Sequence, residues 1–225
     1  MLNILALDTS ASWGSVAFGK GQEIVYLSYL DLRVTHSERL MQQIDNCLKI
    51  VGVPLEKIDL IAFSNGPGSF TGLRIGLATL KGLSLAKRIP LCPFNTLKVL
   101  AANFAGLGID IMPCIDAKMN EVYAAVYDTD LNEKQPPLST TLLQMLEQIA
   151  EPVIMVGNVA NKYRDLITSS GKNIKLVELH QNIPMASAMI SLIYRENINI
   201  SYDASSIAAL EPYYLRKSQA EINFG

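Results

Sequence analysis

A glycine-rich turn between a buried strand and a long helix constrains the fold of this chain more than any other segment does. The apolar run 60–64 predicts a strand, Asn-Gly-Pro-Gly at 65–68 a tight turn, and the residues from Ser69 to just before Pro90 a helix. Glycines at such a junction let the backbone of the helix approach its neighbours closely. A helix that returns the chain to the same sheet implies parallel strands, and the segment therefore predicts an α/β fold.

Short apolar runs and helical patterns on both sides extend this plan into a mixed sheet. Three strands come first as a meander with a hairpin turn at Lys20-Gly21, and the later strands follow helices. The order β-β-β-α-β-α-β-α combines antiparallel pairs with parallel crossovers. The predicted strands of this part are 4–7, 15–18, 23–30, 60–64 and 91–94. The first predicted helix is capped by Thr35 or Ser37 and ends at 51, and the next two are 69–89 and 96–104.

The second half of the chain carries a weaker pattern of the same kind. Residues 128–138 are polar and contain Pro136-Pro137, so a surface loop is predicted there. The other predicted elements are strands at 111–115, 121–127 and 153–157 and helices at 141–149, 185–195 and 205–210.

Charge and cysteine usage exclude several function classes. The net charge of −2 lacks the basic excess that a protein needs to hold nucleic-acid phosphates alone, so any contact with RNA is expected to be indirect, through a more basic partner. The three cysteines are far apart, the two histidines are isolated, and no apolar run reaches the length of a membrane span. With no signal-like N-terminus, we expect a cytoplasmic protein without a metal site or membrane contact. The cysteines are Cys47, Cys92 and Cys114, and the histidines are His36 and His180.

Two segments contain residues that could bind a phosphate. Asp8, Thr9 and Ser10 follow the first strand, and Gly68 and Ser69 begin the long helix, whose N-terminus attracts anions. The glycine run lacks the Gly-Lys-Ser/Thr ending of a phosphate loop and misses the dinucleotide spacing by one residue. Asp, Thr and Ser are also ordinary turn residues. We therefore favour a packed turn over a phosphate site.

The long helix carries more apolar and small residues than contact with a sheet requires, since such a helix needs only one apolar stripe. Either it is sandwiched within the chain or it also packs on another chain, and we favour the second. We expect it to lie beside the preceding helix, with a shared patch that lets the free chain form a homodimer when its partner is missing. The residues predicted to face the partner are Leu40, Met41, Ile44, Leu48, Gly72, Ile75, Gly76, Thr79 and Leu83.

Several segments of the chain match one family pattern in order. The run Gly-Pro-Gly-Ser-Phe-Thr-Gly-Leu-Arg-Ile-Gly at 66–76 is its most specific part. The other matching segments are Ile-Leu-Ala-Leu-Asp-Thr-Ser at 4–10, His-Ser-Glu at 36–38, Lys-Gly-Leu at 81–83, Ile-Asp-Ala-Lys-Met-Asn-Glu-Val-Tyr at 115–123 and Glu-Pro-Tyr-Tyr-Leu-Arg at 211–216. On these residues the chain resembles the TsaB (YeaZ) family over nearly its whole length, with 128–205 matching loosely.

The resemblance implies an actin/Hsp70/sugar-kinase-like fold of two lobes, each a mixed sheet with packed helices. We place the first lobe at 1–104 plus about 203–225, and the smaller second lobe at 105–202. The resemblance also implies a scaffold subunit that works with a catalytic paralogue, TsaD, and an ATPase, TsaE. Together they transfer a threonylcarbamoyl group to N6 of adenosine 37 of tRNA. ATP and the metal would belong to the partner subunits, and this chain alone would bind no cofactor.

The catalytic paralogue differs from this chain at its metal-binding pair. The resemblance places an H-x-x-x-H pair just after the strand 91–94, where Asn95 and Val99 stand here, and valine cannot ligate a metal. We therefore expect the chain alone neither to modify tRNA nor to cleave protein. A small kinase or ATPase of the same fold is the alternative function. A metallopeptidase is disfavoured by the missing ligands, and a dinucleotide oxidoreductase by the glycine spacing.

Overall fold

The structure is a computed structural model that describes residues 1–31 and 36–216, with the backbone alone at 30, 31 and 36–38. It divides into two compact units. Of the described residues, 1–99 with 184–213 form the first unit, and 100–183 with 214–216 form the second. The predicted cap Thr35 and the tail from Ser218 lie outside the described residues. No helix in the described part of the chain is long and apolar enough to cross a membrane.

Strands and helices are interspersed along the described chain, with runs of three strands at β1–β3 and β6–β8. The strands are β1 (Asn3–Asp8), β2 (Trp13–Lys20), β3 (Glu23–Asp31), β4 (Leu60–Gly66), β5 (Leu91–Asn95), β6 (Asp110–Lys118), β7 (Glu121–Tyr127), β8 (Glu133–Thr141), β9 (Val153–Val156) and β10 (Ile174–Leu176). The α-helices are α1 (His36–Val51), α2 (Phe70–Lys87), α3 (Thr96–Ala102), α4 (Leu142–Gln148), α5 (Asn158–Lys162), α6 (Arg164–Ser169), α7 (Ala186–Arg195) and α8 (Ala204–Ala209), with short 3-10 turns at Leu55–Lys57 and Leu179–Gln181.

The first unit is built on a sheet with the strand order β3-β2-β1-β4-β5. β1, β2 and β3 pair antiparallel as the predicted meander, whereas β1, β4 and β5 are parallel. Helices α1 and α2 pack side by side on one face, as predicted, and share a core that includes Phe18, Leu40 and Leu80. Helix α7 covers the opposite face, where Ile190 lies against Gly19. The sheet is therefore buried on both faces, which explains its apolar strands.

Helix α7 corrects the predicted boundary between the lobes. The sequence placed residues 105–202 in the second lobe, but 184–202 belong to the first unit. The backbone N–H of Ala186 donates to Oγ of Ser15 in β2 at 2.9 Å, which fixes the start of α7 on the first sheet. The apolar stripe of a helix shows that it covers a sheet but does not show which sheet, and this is why the sequence misplaced it.

The second unit contains a mixed sheet with the order β10-β9-β6-β7-β8. β6, β7 and β8 are antiparallel, and β6, β9 and β10 are parallel. The loop predicted at 128–138 is wrong over 133–138, which belong to β8. Pro136 and Pro137 fit this strand because they lie in a break of the ladder, between Gln135 and Leu138, where neither has a paired partner in β7. The strand is also at the edge of the sheet, where proline is tolerated. Between 158 and 176, where no element was predicted, the chain forms α5, α6 and β10.

Candidate functional site

The glycine turn brings the start of α2 into backbone contact with the turn after β1. The N–H of Ser69 donates to the carbonyl of Ser10 at 2.7 Å, and the Ser69 hydroxyl caps α2 by accepting from the N–H of Gly72 at 3.3 Å. A Cβ on Gly68 would lie 2.3 Å from the Ser10 carbonyl oxygen, and one on Gly72 would lie 2.1 Å from that of Thr9. Both distances are far below van der Waals contact, so only glycine allows this approach.

Asp8 lies at the bottom of this turn and is fully buried. Its carboxylate accepts hydrogen bonds from the backbone N–H and the hydroxyl of Ser10 at 3.1 and 3.0 Å. Burial raises the pKa of Asp8 to about 6, because desolvation of the charged form outweighs the hydrogen bonds from Ser64 and Ser10. A buried carboxylate beside these hydroxyls repels a second anion, so the environment of Asp8 does not suit a phosphate.

The five residues predicted as phosphate-loop candidates therefore do come together, but they contact one another. Thr9 and Ser10 are buried, and the helix start that would receive an anion already donates to Ser10 and Ser69. The geometry favours the packed-turn interpretation for Asp8, Thr9, Ser10, Gly68 and Ser69. The specificity of the glycine motif is explained by packing within the first unit.

The structure corrects the predicted partner face at four positions. A Cβ on Gly76 would lie 2.2 Å from Oγ1 of Thr9, so Gly76, like Gly72, faces the β1 turn of its own chain. Leu40 and Ile44 are also buried within the core of the first unit. The prediction was wrong here because the β1 turn, as well as the sheet, covers the N-terminal half of α2.

Of the other predicted partner-facing residues, Met41, Leu48 and Leu83 line an apolar groove between α1 and α2. Ile75 and Thr79 in α2 are not among its lining residues. Met41 is 42% exposed, and Leu48, Ile75, Thr79 and Leu83 are half-buried. The groove has a volume of about 470 Å³, and the Asp45–Lys49 ion pair, at 2.6 Å, stands at its rim. Its other lining residues are Ile44, Gly52, Val53, Pro54 and Leu55.

The sequence analysis missed the end of this groove. Val53, Pro54 and Leu55 lie in the connection after α1, for which the sequence predicted only that the helix ends at 51. Val53 and Leu55 are two apolar residues in a surface connection, and that was the available signal. A surface connection with such residues indicates either local packing or a docking surface.

Asn95 and Val99, where the family resemblance places the paralogue's metal ligands, have structural roles in this chain. Oδ1 of Asn95 accepts from the N–H of Leu97 at 2.9 Å and so satisfies a donor at the start of α3. Val99 is fully buried. Within the described residues, no group of three or more His, Cys, Asp or Glu side chains could hold a metal ion. His180 is exposed on a short turn, and the side chain of His36 lies outside the description.

The remaining family segments hold the chain's later part in place. In the first unit, the N–H of Tyr213 donates to the carbonyl of Asn65 at 2.7 Å, next to Gly66, where a Cβ would lie 2.4 Å from the Tyr213 carbonyl oxygen. In the second unit, Arg216 forms an ion pair with Glu121 at 2.9 Å and thereby lowers the pKa of Glu121. The close approach of the Tyr213 backbone to Gly66 and the Arg216–Glu121 ion pair thus give these segments a structural role.

Comparison with known proteins agrees with this fold and these motifs. The family model described as TsaD, tRNA N6-adenosine threonylcarbamoyltransferase, matches residues 32–224. The tRNA threonylcarbamoyladenosine biosynthesis protein TsaB of Haemophilus influenzae is 39% identical over 166 residues, which cover 73% of this chain and 69% of that protein. TsaB of Bacillus subtilis is 29% identical over 232 residues, covering 98% of this chain and 96% of that protein.

Solved structures place the fold in the same class. YeaZ from Pseudomonas aeruginosa superposes with a TM-score of 0.77 at 25% identity, covering 96% of this chain and all of that chain. A ROK family protein from Streptococcus pneumoniae shares the fold alone, with a TM-score of 0.50 at 9% identity, covering 87% of this chain and 99% of that one. The class is thus an α/β protein of the actin-like and sugar-kinase-like type. Within it, the chain belongs to the TsaB (YeaZ) family of tRNA threonylcarbamoyladenosine biosynthesis.

Proposed function

We propose that this chain is the non-catalytic subunit that pairs with a TsaD-like catalytic paralogue for threonylcarbamoyl transfer to N6 of adenosine 37 of tRNA. The observation that carries the proposal is the apolar groove between α1 and α2, with exposed Met41 and half-buried Leu83 at its surface. Apolar surface left in water is costly by roughly 25 cal/mol per Å², so a groove of this kind favours a partner that covers it.

The shape of the groove supports a helix as the occupant. Two adjacent helices leave a furrow that accepts the side-chain ridge of a third helix, and a paralogue with the same fold would present such a pair. Gly82, which has no atom within 4 Å of where its Cβ would lie, leaves room for a close approach on the outer side of α2. The same complementarity would let two copies of this chain pair when the paralogue is absent.

The absence of catalysis by the chain alone is supported by Asn95 and Val99, since a helix-capping amide and a buried valine stand in place of metal ligands. ATP and metal would act in the partner subunits, which include a TsaE-like ATPase, and tRNA would be held mainly by the paralogue. The complex would work in the cytoplasm.

The test changes the groove at Met41 and the outer side of α2 at Gly82 without changing the core. Met41→Glu combined with Gly82→Glu adds two charges at positions that are exposed or open, and Leu143→Glu in α4, where Leu143 is 61% exposed, is the matched control. We expect the double variant to lose association with the paralogue in sedimentation velocity and to give at least tenfold less modified adenosine in the reconstituted reaction. The control should match wild type. Pairing of the double variant at wild-type affinity, or product from the isolated wild-type chain, would refute the proposal.

A further inference from the structure

The second unit repeats the strand plan of the first unit. Each sheet has three antiparallel strands and then two strands parallel to the first of these, in the orders β3-β2-β1-β4-β5 and β8-β7-β6-β9-β10. Helix α4 follows β8 as α1 follows β3, and α6 precedes β10 as α2 precedes β5. The pair α4 and α6 therefore holds the position in the second unit that α1 and α2 hold in the first.

An apolar groove with a volume of about 300 Å³ lies between α4 and α6. Both helices lead into the adjacent parallel strands β9 and β10, so the ends of the two helices lie at the same edge of the sheet. Leu143 and Leu166, near the starts of the helices, are 61% and 38% exposed. Glu147 lies at the other end of the groove with Lys172, whose ammonium reaches Glu151 just beyond α4 at 3.0 Å. The other lining residues are Leu146, Ser169 and Ser170.

This arrangement is self-complementary. A two-fold axis along the groove would set α4 of each copy against α6 of the other without exchanging the two ends of the groove. Leu143 would then meet Leu166 of the second copy, and Glu147 would meet Lys172. Glu147 is exposed, and Lys172 can donate to it while keeping its ion pair with Glu151, since an ammonium has three N–H donors. An axis across the groove would instead set Leu143 against Glu147, so the chemistry selects the first axis.

We propose that the α4–α6 groove binds a second copy of this chain about a two-fold axis along the groove. The leucines bury apolar surface, and the two Glu147–Lys172 contacts fix the orientation. Because α4 and α6 have only 7 and 6 residues, we expect a small interface and a dissociation constant on the order of 100 μM. The dimer is then largely dissociated at low micromolar concentration, where Leu143→Glu serves as the control above. This proposal does not depend on the function proposed above.

Sedimentation equilibrium up to the highest soluble concentration measures the dimer. The full chain carries Met41→Glu and Gly82→Glu, so that association through α1 and α2 does not contribute. We expect a dimer that Leu143→Glu weakens at least tenfold, because two apolar contacts are lost in each dimer. A carboxylate in the first turn of α4 suits the helix, so this variant should stay folded. Leu179→Glu, the same change at a 71% exposed leucine outside the groove, is the matched control and should have no effect.

An exchange of charges tests the two-fold axis. Glu147→Lys sets a lysine against Lys172 of the second copy, and Lys172→Glu sets a glutamate against Glu147, so each variant alone should dimerise roughly threefold more weakly. An equimolar mixture of the two variants should recover the parent association, because each contact then joins a lysine to a glutamate. Lys172→Glu is made together with Glu151→Gln, so that the new carboxylate does not meet one in its own chain, and Glu151→Gln alone is the control.

Several results would overturn the proposal. They are a monomer at every concentration, a dimer that a folded Leu143→Glu chain forms as well as its parent, and a charge-exchange mixture that associates no better than its components. Association with the paralogue that Leu143→Glu abolishes at low micromolar concentration would assign the groove to that protein instead. If Leu143→Glu proves unfolded by circular dichroism, Leu166→Glu takes its place.

Discussion

The buried carboxylate of Asp8 should make the stability of the first unit depend on pH, and Asp8→Asn should remove that dependence. Burial raises the pKa of Asp8 from its ordinary value of 3.8 to about 6 in the folded chain. The stability that Asp8 contributes is therefore fully present below pH 3.8 and is lost as the pH rises through 6. The shift of about two units corresponds to about 3 kcal/mol in all, of which about 2 kcal/mol falls between pH 4.5 and 7.5.

Urea denaturation of wild type and Asp8→Asn at pH 4.5, 6 and 7.5 measures the pH-dependent contribution of Asp8 to the free energy of unfolding. Asparagine keeps the shape and the acceptor for Ser10 but carries no charge, so its free energy of unfolding should rise relative to wild type by about 2 kcal/mol across that range. Other titrating groups affect both chains alike and cancel in the difference. Parallel pH profiles for the two chains would refute the reasoning, because they would mean that Asp8 is as well solvated as in the unfolded chain.

Two further predictions concern α2. Ser69→Ala removes the hydroxyl that accepts from the N–H of Gly72. Its free energy of unfolding, measured by urea denaturation, should be lower than that of wild type by about 1 kcal/mol. Ser69→Asp should show no loss, because an aspartate side chain also caps a helix. Gly82→Ala adds a methyl group where no atom lies within 4 Å. The better helix propensity of alanine should raise the free energy of unfolding by up to about 1 kcal/mol, and the melting temperature should rise with it. A lower melting temperature would show that this face of α2 is covered.

Much of the fold was predictable because its pattern is local. The buried strands β1 and β4, the hairpin at Lys20-Gly21 and the start of α2 near Ser69 follow from runs of apolar residues and from turn residues. β8 was missed because its tandem prolines are typical of loops, and they are acceptable here because they lie in a break of the ladder on an edge strand. The placement of α7 was missed because amphipathic pattern does not identify the sheet that a helix covers.

The candidate site was only half predictable for a related reason. Helical spacing put Gly72 and Gly76 on the face of α2 predicted to meet a partner, and small residues on one face of a helix suit close packing against any neighbour. The structure places Gly72 and Gly76 under the β1 turn, whereas the position of a Cβ on Gly82 is open. Helical spacing fixes the direction in which a residue points, but the path of a distant loop decides what it meets.

The contact between Gly76 and Thr9 can be tested as a coupled pair. Gly76→Ala places a Cβ 2.2 Å from Oγ1 of Thr9, so Thr9 or α2 must shift, and the free energy of unfolding should fall by about 1–3 kcal/mol even though alanine is the better helix former. Cβ of Thr9 would lie 3.3 Å from the new methyl group, a distance that small adjustments relieve. Thr9→Ala should therefore restore most of the loss in the double variant, and urea denaturation of the four chains gives the coupling energy. Additive losses would mean that Gly76 does not meet the Thr9 hydroxyl, and the inward face of α2 would then be available to a partner after all.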